Sequence, residues 1–589
     1  MARVGARFAV AAVAVLSLSL GIGCGDDPSS DRGGTGGGGS GQAGSGGGGA
    51  GKGGGDAGGA GEGGSGGGAG GSAGDAGTGG VGGGDGGSGG DDKPVVGWEP
   101  CNAFGMRMDC ANLDVPLDWS RPEGRRIPYF VRKVPATGIP KRGQIWLLVG
   151  GPGLSGEATL DMAPFFASLG FDAYVPDYRG VGRSAPLACE GEPDSNDEVS
   201  STCLAELAQE WGDDLAHFSA TGAALDLGNA IEWLREPGKQ VIVLGTSYGT
   251  FLGNRYLNLF PTQADAAILG GICPGNACSL HYDRATDRTA QETFRLCSAD
   301  SFCRSKLSAD PWGKLEEVYR KLQRGHCREL GGLQTDFVFS YLLYTVLGER
   351  SLAPVALATA YRIDRCDPAD VSAVTNLARL TMPGMFAVTA DDAPESAYLR
   401  RQITNSEFWE DGLTPDMLRN EWSDHLVAPG FGFTLASQYE TWPWPLYTVP
   451  AELKRWAPVT MPMLMINGTL DIPTPMEDIE GIEAVFTGPA QTFVRVPNEG
   501  HSAIMATCPL SIVKAFVQNP SVRPDLSCLS GLETINLRGT SSLARQAFGT
   551  TDMWENPGAA APTVLPDEPT DPGLLRAIER AKYGPRPRW

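Results

Sequence analysis

The stretch Gln240-Val-Ile-Val-Leu-Gly-Thr-Ser-Tyr-Gly-Thr250 decides the fold. Its apolar run suits a strand buried on both faces, and the residues from Thr250 to Leu259 are compatible with a helix. Between the two, Gly245 and Gly249 flank Ser247 in the pattern G-x-S-x-G. Small residues two before and two after a serine permit a strained strand-to-helix turn that lifts the hydroxyl into the open, beside the N–H groups of the helix start. The same pattern centres on Ser65, Ser72 and Ser88, but these lie in a glycine-rich stretch with no strand before them. Context, rather than the bare pattern, singles out Ser247.

Working outward, further short apolar runs read as buried parallel strands: Gln144 to Val149, Asp172 to Pro176, Ala266 to Leu269, Met463 to Ile466 and Thr492 to Val496. Helix-period segments lie between several of them, with Leu227, Ile231 and Leu234 before the central run and Ile512, Ala515 and Phe516 after the last. This alternation implies an α/β protein, a mostly parallel sheet with helices on both faces. It stops after about Gly271 and resumes near Met461. Helix-like pieces in between (Lys314 to Gln323, Phe337 to Leu347) predict a mainly helical insertion that caps the sheet.

A serine hydroxyl is a poor nucleophile at neutral pH, so it needs a base, and the base needs an orienting acid. Of five histidines, His217 precedes the serine and His281, His326 and His425 lie in the insertion; His501 follows the last strand. The acid expected is Asp471, in the loop after the strand Met463 to Ile466. Alone, His501 reads as a surface residue and Asp471 as a turn former. Together, Ser247, Asp471 and His501 stand in the order of an α/β-hydrolase triad, each after a strand. An oxyanion hole needs two backbone donors, expected from Tyr248 and from Gly150 and Gly151 in Gly150-Gly-Pro-Gly153. The stretch Asp177-Tyr-Arg-Gly-Val-Gly-Arg-Ser184 is expected to brace loops around the site.

The rest of the chain speaks to location. It has 589 residues and a formal net charge of −22, and 37 of its 83 glycines fall between Asp31 and Gly90. That block lacks the three-residue period of collagen and reads as a flexible tether with a reach of about 40 Å. An acidic chain without a basic run is not expected to bind nucleic acid. Met1 to Gly23 reads as a secretory signal, with Arg3 and Arg7 before the apolar stretch Phe8 to Leu20. Its end, Leu20-Gly-Ile-Gly-Cys24, resembles a bacterial lipobox, making Cys24 the expected lipid attachment point and the membrane a partner through that anchor; an ordinary signal peptide cut near Gly23, giving a secreted protein, is the alternative. Twelve cysteines then remain, an even set suggesting six disulfides in an exported protein. Short spacing suggests pairing neighbours: Cys101 with Cys110, Cys189 with Cys203, Cys273 with Cys278, Cys297 with Cys303, Cys327 with Cys366 and Cys508 with Cys528. Spacing alone leaves the connectivity open. No C-x-x-C occurs and histidine is scarce, so no metal site and no cofactor are expected.

The residues Gly150-Gly-Pro-Gly153, Asp177 to Ser184, Gly245-Thr-Ser-Tyr-Gly-Thr250, Asp471 and Gly500-His501 resemble the prolyl and tripeptidyl aminopeptidase family of α/β-hydrolases, exported branch. Cys110 to Trp119 is similar to that branch's entry strand, and His501 followed by Cys508 and Cys528 to its TAP-like C-terminal segment. Two departures, Val149 where relatives have His and Leu269-Gly-Gly271 where Leu-Asp-Gly is usual, bear on substrate preference. The resemblance implies cleavage of peptides from a free N-terminus, with peptides as substrates. Recognition of an α-ammonium group would call for carboxylates from the cap; Asp391, Asp392 and Glu395 cluster there but read rather as a solvated turn. The expected organisation is a signal peptide (1–23), an anchor and tether (24–92), a hydrolase core (93–275 and 456–530), a helical cap (276–455) and a C-terminal tail (531–589) in which Thr551 to Pro572 reads as extended or disordered. An esterase or lipase of the same fold, or a surface lipoprotein that kept the fold and lost turnover, are the competing readings.

Overall fold

Buried apolar strands and the helices between them assemble into a nine-stranded sheet in the order β1-β2-β3-β5-β4-β6-β7-β8-β9. The computed structural model describes residues 94–189, 199–275, 278, 282–381, 395–410 and 412–557. The described residues belong to one compact unit. The signal, tether and Cys24, like Asp391, Asp392 and His281, lie outside the described residues.

Strands β1 (Glu99–Ala103), β2 (Met106–Pro116) and β3 (Arg126–Val134) form an antiparallel meander, and β3 pairs antiparallel with β5 (Phe171–Pro176). From β5 onward the sheet is parallel through β4 (Gly143–Leu148), β6 (Gln240–Thr246), β7 (Ala266–Gly270), β8 (Met463–Gly468) and β9 (Gln491–Val496). All six strands expected from apolar runs are present, with ends shifted by one or two residues.

Side chains alternate between two cores. Trp146, Val243, Leu269 and Met465 pack on one face, with Leu227 and Ile231 of α1 (Ala220–Leu234) and Phe251 of α2 (Tyr248–Leu259). Ile145, Leu147, Ile242, Leu244, Ile268 and Leu464 pack on the other, with Phe166, Ile512 and Phe516. A strand buried on both faces has no polar side to alternate with, which is why these segments read as continuous apolar runs.

Between Gly270 and Met463 the described residues contain helices and no named strand, beginning with α3 (Asp283–Ala299) and including α4 (Ala397–Ile403) and α5 (Phe431–Thr441). They enclose a core of their own around Phe339, Val346, Leu357 and Leu377. The segment after Cys528 corrects the expectation for its first part. A helix spans Ser541–Phe548, and Trp554, 1% exposed, packs into the insertion's core with Phe548 and Met553. Residues 551–557 are therefore not a free extended stretch. Their polar composition hid two apolar anchors whose partners lie some two hundred residues away. Arg362 adds to this dock by donating to the carbonyls of Met553, Asp552 and Glu555 at 2.9, 2.9 and 3.1 Å.

All six neighbour pairings occur as disulfides, from Cys101–Cys110 to Cys508–Cys528. Such a set fits an oxidising, exported location. Among the described residues no helix is long and apolar enough to cross a membrane.

Candidate active site

The register of the parallel strands brings the candidate residues to one end of the sheet. Leu148 of β4 is level with Gly245 of β6, Thr246 with Gly270 of β7, Gly270 with Ile466 of β8, and Gly468 with Val496 of β9. The loops leaving these carboxyl ends carry Gly150, Ser247, Gly271, Asp471 and His501. Open parallel sheets bind ligands at this edge.

Ser247 sits between β6 and α2 with φ 55° and ψ −128°, a conformation that costs a non-glycine residue of order 1–3 kcal/mol. Both flanking glycines are required for close approach. A Cβ on Gly245 would stand 2.2 Å from the Gly249 carbonyl oxygen, and one on Gly249 would stand 2.1 Å from that of Leu148. The Ser247 N–H donates to Gly270 O at 3.0 Å, and its carbonyl accepts from Thr250 N at 2.8 Å and Thr250 Oγ1 at 2.6 Å. The turn is thereby held from the neighbouring strand and from the helix it opens.

The glycine loop lies against this serine. A Cβ on Gly150 would be 2.9 Å from Ser247 Cβ and 3.3 Å from Oγ. Gly151 has φ 111°, and the Gly151–Pro152 bond is cis. Tyr178 fastens the loop, accepting from Gly153 N at 2.7 Å and donating to Gly150 O at 3.3 Å, while Arg400 of α4 donates to Pro152 O at 3.0 Å. Arg400 also pairs with Glu395, so this one described member of the acidic cluster is engaged in an ion pair. Tyr248 opens α2; its ring is fully buried and its hydroxyl has no hydrogen-bond partner among the described residues.

Asp471 and His501 meet. His501 Nδ1 lies 2.9 and 3.0 Å from Asp471 Oδ1 and Oδ2, and the two residues are 8% and 1% exposed. Thr474 completes the carboxylate's shell, donating from its N–H to Oδ1 at 2.9 Å and from Oγ1 to Oδ2 at 2.8 Å, with Oγ1 also 3.2 Å from His501 Nδ1. Thr289 of α3 donates to Asp471 O at 3.2 Å, so the insertion touches the acid's backbone. Burial pushes the His501 pKa down, but the charge and hydrogen bond of Asp471, with a further contribution from Glu349, carry it above the ordinary imidazole value.

His501 and Ser247 flank the same glycine pair at the end of β7. A Cβ on Gly271 would be 2.9 Å from His501 Cε1, one residue beyond the Gly270 carbonyl that Ser247 binds. Among the described residues no hydrogen bond joins Ser247 Oγ to the ring; such contacts tighten when substrate arrives. Two other described histidines are engaged elsewhere: His326 Nε2 is 2.9 Å from Ile363 O, and His217 is 3.8 Å from Asp118.

The segment Asp177 to Ser184 braces the site. Asp177 Oδ1 accepts from Arg132 at 2.7 Å and Gly156 N at 2.8 Å, and Oδ2 from Arg183 N at 2.9 Å. Arg179, 1% exposed, pairs with Asp226 at 2.8 and 2.6 Å and donates to the carbonyls of Leu117, His217 and Pro116. One close grouping of metal-type ligands occurs among the described residues, Cys327, Glu329 and Cys366, and its two sulfurs are joined in a disulfide. Thr474, Thr289 and Glu349 were not singled out from sequence, and Tyr178 was read only as part of the bracing stretch Asp177 to Ser184. Of the first three, Thr474 carried a signal, three residues after an aspartate in a loop rich in turn formers.

The sheet order and the helices on its two faces are those of the α/β-hydrolase fold. The family model described as alpha/beta hydrolase fold matches residues 145–305, and that described as TAP-like protein matches residues 428–528, so the chain has the α/β-hydrolase fold and a C-terminal segment similar to TAP-like proteins. It is 30% identical over 263 residues to the serine protease Hip1 of Mycobacterium tuberculosis, covering 38% of this chain and 49% of that protein. It is 27% identical over 227 residues to a tripeptidyl aminopeptidase of Streptomyces lividans, covering 33% and 41%. The chain thus spans about half the length of the curated relatives it matches. Among solved structures, a proline iminopeptidase of Mycobacterium smegmatis aligns with a TM-score of 0.33 at 15% identity, covering 70% of this chain and 98% of that one.

Proposed function

We propose that the protein is an exported serine exopeptidase, an aminopeptidase that releases residues or short peptides from the free N-termini of peptides. The observation that carries this reading is the buried Asp471–His501 pair at 2.9 Å, at the same sheet end as a serine on a strained strand-to-helix turn. In the proposed cycle Ser247 Oγ attacks the scissile carbonyl while His501 Nε2 takes its proton, and Asp471 holds Nδ1–H and stabilises the imidazolium that forms. The N–H groups of Tyr248 and the Gly150–Gly151 loop would hold the oxyanion. His501 then protonates the leaving amine, and water resolves the acyl-enzyme by the reverse sequence.

Peptide bonds as the target are supported by the names of the two relatives. Residues 276–455 are read as a cap over a core of 93–275 and 456–530, which would favour short peptides over folded proteins. Export is supported by the six disulfides. Anchoring through lipidated Cys24, on the tether of residues 24–92, is part of the same reading. Metabolic labelling with a fatty-acid analogue, present on the wild type and lost in Cys24→Ala, tests it.

For the chemistry, a fluorophosphonate probe should label Ser247 and fail on Ser247→Ala; folded protein that is never labelled would refute the serine mechanism. A chromogenic peptide with a free amine should be cleaved in preference to its acetylated twin. Equal rates would refute the aminopeptidase, and turnover of simple esters alone would favour an esterase.

A further inference from the structure

The insertion sends a carboxylate to the loop of His501. Glu349 is 7% exposed and accepts a hydrogen bond from the Ser502 hydroxyl, one residue past the histidine. The preceding carbonyl, Gly348 O, accepts from His501 N at 3.3 Å. The fit is close: a Cβ on Gly500 would stand 2.1 Å from Gly348 O and 3.3 Å from Glu349 Cα. The next residue, Arg350, pairs with Glu499 of the same loop at 2.7 Å. Three consecutive residues of the insertion, Gly348 to Arg350, therefore grip Glu499 to Ser502 by backbone, hydroxyl and ion pair.

We propose that Glu349 is a positioning residue for His501, holding its loop through Ser502 and placing a second negative charge beside the ring. The inference rests on the reading of His501 as the base. The ring meets Asp471 and the neutral Thr474 from the loop after β8 and the uncharged Gly271 just past β7; the insertion adds the charge of Glu349, while Glu499 on the histidine's own loop is paired with Arg350. Among the described residues of the insertion, Glu349 is the carboxylate whose charge acts on the ring. Its charge favours the protonated imidazole, in line with the upward shift of His501. Any displacement of the insertion that withdrew Glu349 would release the loop and lower the ring's affinity for its proton.

The test measures exchange of the histidine ring C2 hydrogen by mass spectrometry across pH, which reports each histidine without requiring turnover, in wild type, Glu349→Gln and Ser502→Ala. Glu349→Gln should lower the His501 midpoint by about half a pH unit and leave that of His326 in place. Ser502→Ala keeps the charge, so its midpoint should not fall, while the rate of fluorophosphonate labelling at Ser247 should drop severalfold. An unchanged His501 midpoint in folded Glu349→Gln overturns the proposal, as does a wild-type labelling rate in Ser502→Ala. Should Glu349→Gln fail to fold, the Ser502→Ala rate decides. Absence of labelling in the wild type would instead refute the serine mechanism, with the His501 midpoint still deciding whether Glu349 acts on the ring.

Discussion

At the residue scale the site depends on a histidine pulled in two directions. Burial favours the neutral ring, while Asp471 favours the charged one and prevails. A raised folded-state pKa means stability that is fully present below the unfolded value of about 6.5 and is lost as pH rises through the folded one. A base must be neutral to accept a proton, so labelling or turnover should rise with pH around a midpoint above 6.5. In Asp471→Asn that midpoint should fall below the wild-type value and the rate by about 10⁴, as when a triad acid is made neutral. A pH–rate profile of both proteins checks this. Thr474→Val removes one hydroxyl from the carboxylate while leaving its N–H bond, and should cost about tenfold in kcat/KM with little change in Tm. Steady-state kinetics beside a thermal melt would separate a positioning loss from unfolding.

At the scale of elements, buried polar contacts tie the helices of the insertion to one another. Asp283, the first residue of α3, is 1% exposed and accepts from the N–H groups of Gly430, Phe431 and Gly432 at 3.0, 3.1 and 3.1 Å, capping the start of α5 across 150 residues. Burial raises its pKa to about 6 in spite of these donors. Asp283→Ala would strand two buried N–H groups and a half-buried third and should cost about 3 kcal/mol, read from a denaturant titration. Glu407 ties the insertion to the hydrolase helices in a comparable way, accepting from Arg255 of α2 at 2.8 Å, Tyr447 at 2.7 Å and Ala220 N at 2.9 Å. Neither partner set could be found from local pattern, because each acid's donors lie far along the chain.

At the scale of the whole molecule, the disulfides are short-range staples, with separations from 5 to 39 residues. The longest, Cys327–Cys366, restrains the unfolded chain most. By loop-closure entropy, replacing both cysteines with alanine should cost about 4 kcal/mol. Equilibrium unfolding measures this, and alkylation of the denatured, unreduced wild type should find all twelve of these cysteines blocked. The Ser541–Phe548 helix and Trp554 close the insertion's core from the far end of the sequence, so removal of residues 532–557 should expose that core and lower Tm.

The sheet was legible from the chain because strands buried on both faces are largely apolar, so β4 to β8 declared themselves one by one, and β9 did so around an exposed Arg495. The elbow was legible because Gly245 and Gly249 leave no alternative residue at 2.2 and 2.1 Å from facing carbonyls. Order along the chain likewise marked Asp471 and His501, each just past a strand, since a parallel sheet delivers all its carboxyl ends to one edge. What only the tertiary structure decided is what surrounds those residues: Thr474 and Thr289 on the acid, Tyr178 on the glycine loop, Glu349 beside the base, Trp554 beneath the insertion. These contacts form where segments far apart in sequence meet, and a hydroxyl, a carboxylate or an indole has the same local pattern whether it meets a partner or solvent. Local spacing determines strands and turns; long-range packing alone determines which polar groups lose water and so acquire a role.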